Sequence, residues 1–139
     1  MGRGLSALQK TMLKMSMDKL ERYQKTIHSP AYLAASYVDQ TDILCTADVN
    51  HWGGVRAIDV LVKVYGWSAT TTYSGWRCLP KSEIGQKPYM AAYIAVRKSV
   101  QRLAKRGLIA THPNNYSQYW ITEEGKKYLL AKLTPNPEI

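Results

Sequence analysis

Donor side chains recur along one segment of the chain, residues 89–106 (YMAAYIAVRKSVQRLAKR). Intervals of three and four residues place side chains on one face of a helix. Donors in this segment and just before it include Lys87, Arg97, Lys98, Gln101, Arg102 and Lys105. Such groups donate hydrogen bonds to phosphate oxygens and to the edges of bases. No acidic residue occurs between Glu83 and Glu123, so the segment favours binding of a polyanion.

The whole chain is basic. Its 139 residues include 19 Lys and Arg against 10 Asp and Glu, for a formal net charge of +9. Residues 64–122 hold eight of these cations and one acid, and residues 1–27 hold six cations and two acids. Residues 28–63 instead hold four acids and two cations. A charge this large and this uneven exceeds what solubility requires and predicts a polyanionic partner.

Catalytic and metal-binding patterns are not found in the sequence. The three histidines are scattered, and none has a nucleophile or carboxylate beside it in a known catalytic arrangement. Cys45, His51 and Cys78 lack the spacing of a zinc site. We therefore expect no enzymatic activity, no metal and no other cofactor. A thiol sensor is a weaker alternative. A flanking cation lowers the pKa of a thiol, and only Cys78, next to Arg77, has one.

The sequence also bears on location. No apolar run approaches the roughly 20 residues of a membrane-spanning helix, and residues 1–10 lack the apolar centre of a signal peptide. Two cysteines do not form a disulfide framework. We expect a cytoplasmic, nucleoid-associated protein without a membrane partner.

The first 27 residues are predicted to form a helix. Ser6 followed by Gln9 is a capping-box pattern, and Leu5, Leu8 and Met12 begin an apolar stripe at helical spacing. The helix should end before the Ser-Pro pair at residues 29–30. Its stripe serves either to close the core or to form a homodimer.

The middle of the chain is harder to interpret. Residues 31–38 (AYLAASYV) fit a short helix or an apolar strand, and residues 42–46 (DILCT) suggest a strand or extended segment. Residues 50–54 (NHWGG) have loop composition. A helix from Val55 to Tyr65, ended by Gly66, comes next, and residues 68–87 form a long linker rich in Ser, Thr and Gly.

A basic helix, a hairpin and a last helix complete the prediction. Helix 89–106 has a predicted core side formed by Ala92, Val96, Ser99, Val100 and Leu103. Gly107 ends it, residues 108–111 and 116–122 pair as a hairpin around the turn at residues 112–115, and Thr122 caps the last helix. Residues 134–139 form a frayed tail.

This order resembles the second half of a winged helix-turn-helix domain of the MarR and PadR type of bacterial regulators. The resemblance rests on residues 103–109 (LAKRGLI) at the end of the basic helix and on residues 121–125 (ITEEG) after the hairpin. The resemblance covers roughly residues 57–130 and implies a mainly α fold with a small β-hairpin wing (α+β), in a domain that we assign to residues 28–133. The long linker at residues 68–87 departs from the tight turn usual between the two helices of this motif.

The resemblance further implies a transcriptional regulator that binds double-stranded DNA. Helix 89–106 would enter the major groove, and the wing would contact the backbone or the minor groove. The implied contact residues are Lys87, Tyr89, Met90, Tyr93, Ile94, Arg97, Lys98, Gln101, Arg102 and Lys105 on the helix, and Asn114, Asn115, Tyr116, Ser117 and Gln118 on the wing. Tyr93 lies at the core boundary of the helix, so packing is the more natural role for it.

Two other functions fit parts of the sequence. Ten Tyr and four Trp residues would suit a protein-interaction module, although such interfaces are depleted in Lys. RNA binding would favour aromatic residues on a sheet platform, and the only predicted sheet is the small wing.

Overall fold

Twelve short and long elements make up the described part of the computed structural model, which covers residues 4–47, 54–71, 77–113 and 115–133. The elements in chain order are α1 (Ala7–Ile27), α2 (Pro30–Ala34), α3 (Tyr37–Thr46), β1 (Val55–Arg56), α4 (Ala57–Tyr65), β2 (Thr70–Thr71), β3 (Arg77–Cys78), α5 (Lys81–Ile84), α6 (Gln86–Lys105), β4 (Ile109–His112), β5 (Asn115–Ile121) and α7 (Glu123–Leu133). The predicted class, mainly α with a small antiparallel sheet, is confirmed.

Helix α1 begins as its sequence predicts and closes the core. The Ser6 hydroxyl accepts a hydrogen bond from the Gln9 amide at 3.2 Å, and the Ser6 amide donates to the Gln9 carboxamide at 3.1 Å. Met12 and Leu13 are fully buried in the same hydrophobic core as α6 and β5. Of the two roles left open for the stripe, core closure is therefore the one that the structure accounts for.

A three-stranded antiparallel sheet in the order β1-β5-β4 holds the predicted hairpin to the helical body. Val55 pairs with Tyr119 and Arg56 with Gln118, so β1 ties the centre of β5 to the start of α4. Tyr119 is fully buried, and its hydroxyl donates a hydrogen bond to the Met12 carbonyl at 2.7 Å. Burial, with a smaller contribution from the Asp59 carboxylate, raises the pKa of Tyr119 well above its ordinary value.

One predicted element between α1 and α4 is wrong. Residues 42–46 lie in α3 rather than in a strand, because Ser36 accepts the Asp39 amide at 3.3 Å and starts a new helix there. A short apolar run does not distinguish a strand from a helix. Residues 31–38, for which both remained open, contribute to the short helix α2 and the start of α3. The predicted loop at residues 50–54 lies outside the described residues except for Gly54.

The start of α4 and the predicted linker also differ from expectation. Val55 has the helical spacing of α4 but belongs to β1, and the helix begins at Ala57. The Asp59 carboxylate accepts the Arg56 amide at 3.1 Å and caps that start. Gly66 ends α4 at φ +71°, as predicted. The linker at residues 68–87 contains β2, β3, α5 and the first residues of α6 instead of being irregular throughout.

Helix α6 matches its predicted faces but begins earlier. It starts at Gln86, three residues before the predicted position, with Pro88 in its first turn, where an amide has no partner within the helix. The buried residues are the predicted ones, Ala92, Val96, Ser99, Val100 and Leu103. Gly107, at φ +77°, follows the helix end as expected.

The hairpin and α7 meet at a close backbone approach. The Thr122 hydroxyl donates to the Gly107 carbonyl at 2.6 Å and accepts the Gly125 amide at 3.1 Å, which confirms the predicted cap of α7. A Cβ atom at Gly125 would overlap the Leu108 carbonyl oxygen. The glycine of the ITEEG motif is therefore required for α7 to lie against the hairpin. The tail at residues 134–139 lies outside the described residues.

Candidate nucleic-acid interface

The outer face of α6 carries all six of the predicted polar contacts on this helix. Each of these side chains is exposed to solvent, namely Lys87, Arg97, Lys98, Gln101, Arg102 and Lys105. Met90 and Ile94, 43% and 44% exposed, share this surface. Twenty residues give the helix a length of about 30 Å. The structure thus brings the predicted helix residues, apart from two tyrosines, onto one accessible side.

The chemistry of this face changes at its midpoint. The outermost row of side chains at four-residue intervals passes from Met90 and Ile94 to Lys98 and Arg102. A neighbouring row begins with Tyr89 and Tyr93 and continues with Arg97, Gln101 and Lys105. The cations are therefore concentrated in the second half of the helix, where the helix dipole also favours positive charge. A groove-reading helix usually presents its first half to the bases, and that half of α6 is mainly apolar.

Tyr89 and Tyr93 belong to a stack of aromatic rings between α4 and α6. The Tyr65 and Trp67 ring centroids lie 5.1 Å apart, Trp67 and Tyr89 6.2 Å, and Tyr89 and Tyr93 6.3 Å, all with nearly parallel planes. Trp67, Tyr89 and Tyr93 are partly buried against the core. The packing role expected for Tyr93 therefore extends to Tyr89, and the stack joins α4 to α6 across the segment between them.

The predicted wing contacts lie along a strand rather than at a turn. Asn115, Tyr116, Ser117 and Gln118 are all in β5, whereas Asn114 lies outside the described residues. Ser117 is exposed, but Gln118 is half-buried in the middle of the sheet, opposite Arg56. A Cβ atom at Gly54 would overlap the Gln118 carboxamide, so this side chain is directed toward β1. The structure therefore places Gln118 away from the hairpin tip.

One cation at the end of α6 was not among the predicted contacts. Arg106 follows the last helical residue, is exposed, and has its guanidinium 5.8 Å from the centre of the Tyr128 ring. It continues the row of Lys98 and Arg102 at the same four-residue interval. The acid-free run already includes Arg106, so the charge pattern was the signal that would have identified it.

Metal ligands, free thiols and membrane spans can each be examined within the described ranges. Within them, no three His, Cys, Asp or Glu side chains are grouped so as to hold a metal ion. Cys45 lies in α3 and Cys78 in β3, and both are exposed. Among the same residues, no helix has the length and apolar character needed to cross a membrane.

Comparison with known proteins adds no relative. The chain matches no protein-family model, no curated protein and no solved structure.

Proposed function

We propose that the chain binds double-stranded DNA in a sequence-specific manner and acts as a transcriptional regulator. Helix α6 would enter the major groove, with the β4–β5 hairpin on the backbone or the minor groove. The observation that carries the proposal is the exposed face of α6, which presents Arg97, Lys98, Gln101, Arg102 and Lys105 without an acidic residue on the helix.

The dimensions and the fold support this proposal. The major groove, about 12 Å wide, admits a single α-helix. The hairpin that follows α6 is anchored by β1, so its position relative to the helix is set by backbone pairing rather than by a flexible loop. A basic helix beside an anchored hairpin is compatible with the winged helix-turn-helix arrangement that the sequence resembles.

The division of the helix face suggests separate roles for its halves. Arg97 and Gln101 are the donors suited to base edges, whereas Lys87, Arg102 and Lys105 are suited to phosphates. Met90 and Ile94 match the methyl group of thymine, which proteins contact through apolar side chains. The proposed reading surface is therefore centred on residues 94–101, near the middle of α6.

A protein-interaction module is the second candidate. Leu33, Tyr37 and Val38, in α2 and α3, are 67%, 79% and 68% exposed, which is high for large apolar side chains. Exposed apolar side chains grouped in one short segment are typical of a surface that meets another protein.

The test of DNA binding is a fluorescence-anisotropy titration of duplex DNA over a series of salt concentrations. If α6 lies on DNA with four to six phosphate contacts, the logarithm of affinity should fall linearly with that of salt, with a slope of about −4 to −5. The Arg97→Ala/Lys98→Ala variant should bind more weakly than the parent at each salt concentration.

The matched control is Lys10→Ala/Lys14→Ala, which removes two exposed cations from α1 and produces the same change in net charge. It should bind nearly as the parent does. Equal weakening by both variants would indicate attraction to overall charge and would contradict a reading role for α6. Absence of binding at low salt would favour the interaction module. Selection from a random duplex library then tests sequence specificity.

A further inference from the structure

A groove of about 710 Å³ lies between the second half of α1, the β4–β5 hairpin and α7. Its apolar lining includes Leu20 and Ile27 from α1, and both are half-buried. Sites for small molecules typically have volumes of about 300–1,000 Å³ and are mainly apolar with a few polar groups. The groove therefore has the size and the lining of such a site, and of the predicted DNA contacts only Gln118 lines it.

Two aromatic rings line the groove, Tyr23 from α1 and Trp120 from β5. Both are half-buried, which leaves part of each side chain accessible. The His112 ring packs edge-on against Trp120, with the ring centroids 5.1 Å apart and the planes at 64°. This contact holds the Trp120 ring in place. Aromatic walls of this kind favour a flat, aromatic ligand.

The polar side chains that line the groove include one cation. Lys126 from α7 lines it with a side chain that is 25% exposed. The His28 Nδ1 atom lies 2.6 Å from the Gln24 carbonyl oxygen, which can only accept, so Nδ1 carries the hydrogen. Among the described residues that line the groove there is no carboxylate, so an anionic group would meet no like charge there.

The ion pair between Lys126 and Glu123 does not prevent Lys126 from binding an anionic ligand. Its ammonium lies 2.8 Å from the Glu123 carboxylate, whose side chain is 77% exposed and does not line the groove. The hydrogen bond and charge of Lys126 lower the pKa of Glu123. An ammonium has three donors, so Lys126 can hold Glu123 and still donate to a ligand. Exposed ion pairs are also weak and readily exchanged.

We propose that this groove binds a small molecule composed of an aromatic ring system and one anionic group, with the ring between Tyr23 and Trp120 and the anion on Lys126. A carboxylate, a sulfonate and a phosphate ester share the necessary chemistry. The site does not depend on the proposed DNA binding, so either function stands if the other fails.

The test is isothermal titration calorimetry with 2-naphthoate and with its neutral counterpart 2-naphthamide. Saturable one-to-one binding of the naphthoate is expected, with the amide weaker by about five-fold because it lacks the charge. Lys126→Gln should weaken the naphthoate about five-fold and leave the amide unchanged. 2-Naphthalenesulfonate and 2-naphthyl phosphate, titrated in parallel, show which anion the groove prefers.

Lys127→Gln is the matched control. Lys127 also pairs with a glutamate three residues earlier, Glu124 at 3.6 Å, but its side chain is 74% exposed and does not line the groove. It should bind the naphthoate as the parent does. Equal losses in the two lysine variants would show attraction to overall charge and would overturn the proposal, as would equal affinities for acid and amide or the lack of saturable binding.

A variant that fills the groove gives an independent readout. Ile27→Trp places a larger side chain at the half-buried wall and should abolish binding of both probes. Circular dichroism and thermal unfolding establish that the variant is folded. A folded Ile27→Trp protein that binds the naphthoate as the parent does would place the ligand elsewhere and would overturn the assignment to this groove.

Discussion

The two longest helices, α1 and α6, are alike inside the protein and different outside it. Each buries a face in the same core, with Met12 and Leu13 from α1 and Val100 and Leu103 from α6 fully buried. On the exposed side, α1 mixes cations with Asp18 and Glu21, and the Arg22 guanidinium pairs with Asp18 at 2.6 Å. Helix α6 has no acidic residue.

This difference indicates which of the two exposed helix faces we expect to meet an external anion. Ion pairs within a helix, such as that of Arg22, partly offset their own repulsion and contribute a few tenths of a kcal/mol. The neighbouring cations of α6 repel one another, and no acidic side chain lies on the same helix. Of the two helices, α6 is therefore the one whose outer face suggests an external anion.

The largest expected effect is a loss of stability when a leucine is truncated in the buried face of α1 or of α6. The two losses should be similar. Leu13→Ala and Leu103→Ala each remove a fully buried leucine, one from each helix. Each should lower the free energy of unfolding by roughly 2–5 kcal/mol, because the substitution leaves a cavity. Urea denaturation followed by circular dichroism measures this change. A much smaller loss for Leu13→Ala would mean that α1 does not close the core in solution, and would return dimerisation to consideration.

The second expected effect is a loss of DNA affinity when a negative charge is added to an exposed helix face. The loss should be large for α6 and small for α1. Gln101→Glu on α6 and Gln24→Glu on α1 are isosteric changes at exposed positions, and both alter the net charge by the same amount. Because Gln101→Glu replaces a proposed donor to a base edge with a negative charge inside the anionic groove, it should weaken DNA binding by about ten-fold or more. Gln24→Glu should change it less than about two-fold. Equal losses of affinity for the two variants in anisotropy titrations would contradict the proposal that α6, and not α1, contacts DNA.

A third effect measures the hydrogen bond that joins α1 to the sheet. Tyr119→Phe removes the donor to the Met12 carbonyl and should lower the free energy of unfolding by about 1 kcal/mol at neutral pH. The parent should also lose stability above about pH 10. In that range the unfolded tyrosine releases its proton, whereas the folded one, with its raised pKa, retains it.

Denaturation of parent and Tyr119→Phe proteins between pH 8 and pH 11 isolates this contribution. The difference between them should narrow as pH rises, because the variant has no proton to lose at this position. A constant difference across the range would show that residue 119 is not buried as described.

The smallest expected effect is a gain in stability from α1. The Ser16 hydroxyl is buried, and it has no hydrogen-bond partner among the described residues. Ser16→Ala removes this unsatisfied group and improves helix propensity, so it should raise the free energy of unfolding by about 1 kcal/mol. Thermal unfolding provides the measurement. A loss of stability would indicate that the hydroxyl has a partner after all, and that the inner face of α1 is more polar than that of α6.

Features encoded within one segment could be predicted from the sequence. The capping box of Ser6 and Gln9 and the core side of α6 depend only on residue spacing within a few turns. Val55 shows where this method fails, because helical spacing includes it in α4 while its strand partner, Tyr119, is far along the chain. The extended interpretation of residues 42–46 failed because the cap at Ser36 lies outside that short run.

The residues of the two candidate sites could likewise be predicted only where a single segment contains them. The exposed donors of α6 could be identified, since one helix carries them and their charge marks them. The half-buried position of Gln118 could not, because it depends on the pairing of β1 with β5. The groove was equally out of reach, since Leu20, Trp120 and Lys126 come from three elements that only folding brings together.

The hydrogen bond between the Tyr119 hydroxyl and the Met12 carbonyl has a consequence for the order in which the protein folds. These two residues are separated by 107 positions, so α1 cannot complete its contacts until β5 has been synthesised. During synthesis on the ribosome, the apolar stripe of α1 must therefore wait for a sheet that is made much later. Chains halted between these residues would expose that stripe and should be the species that chaperones retain.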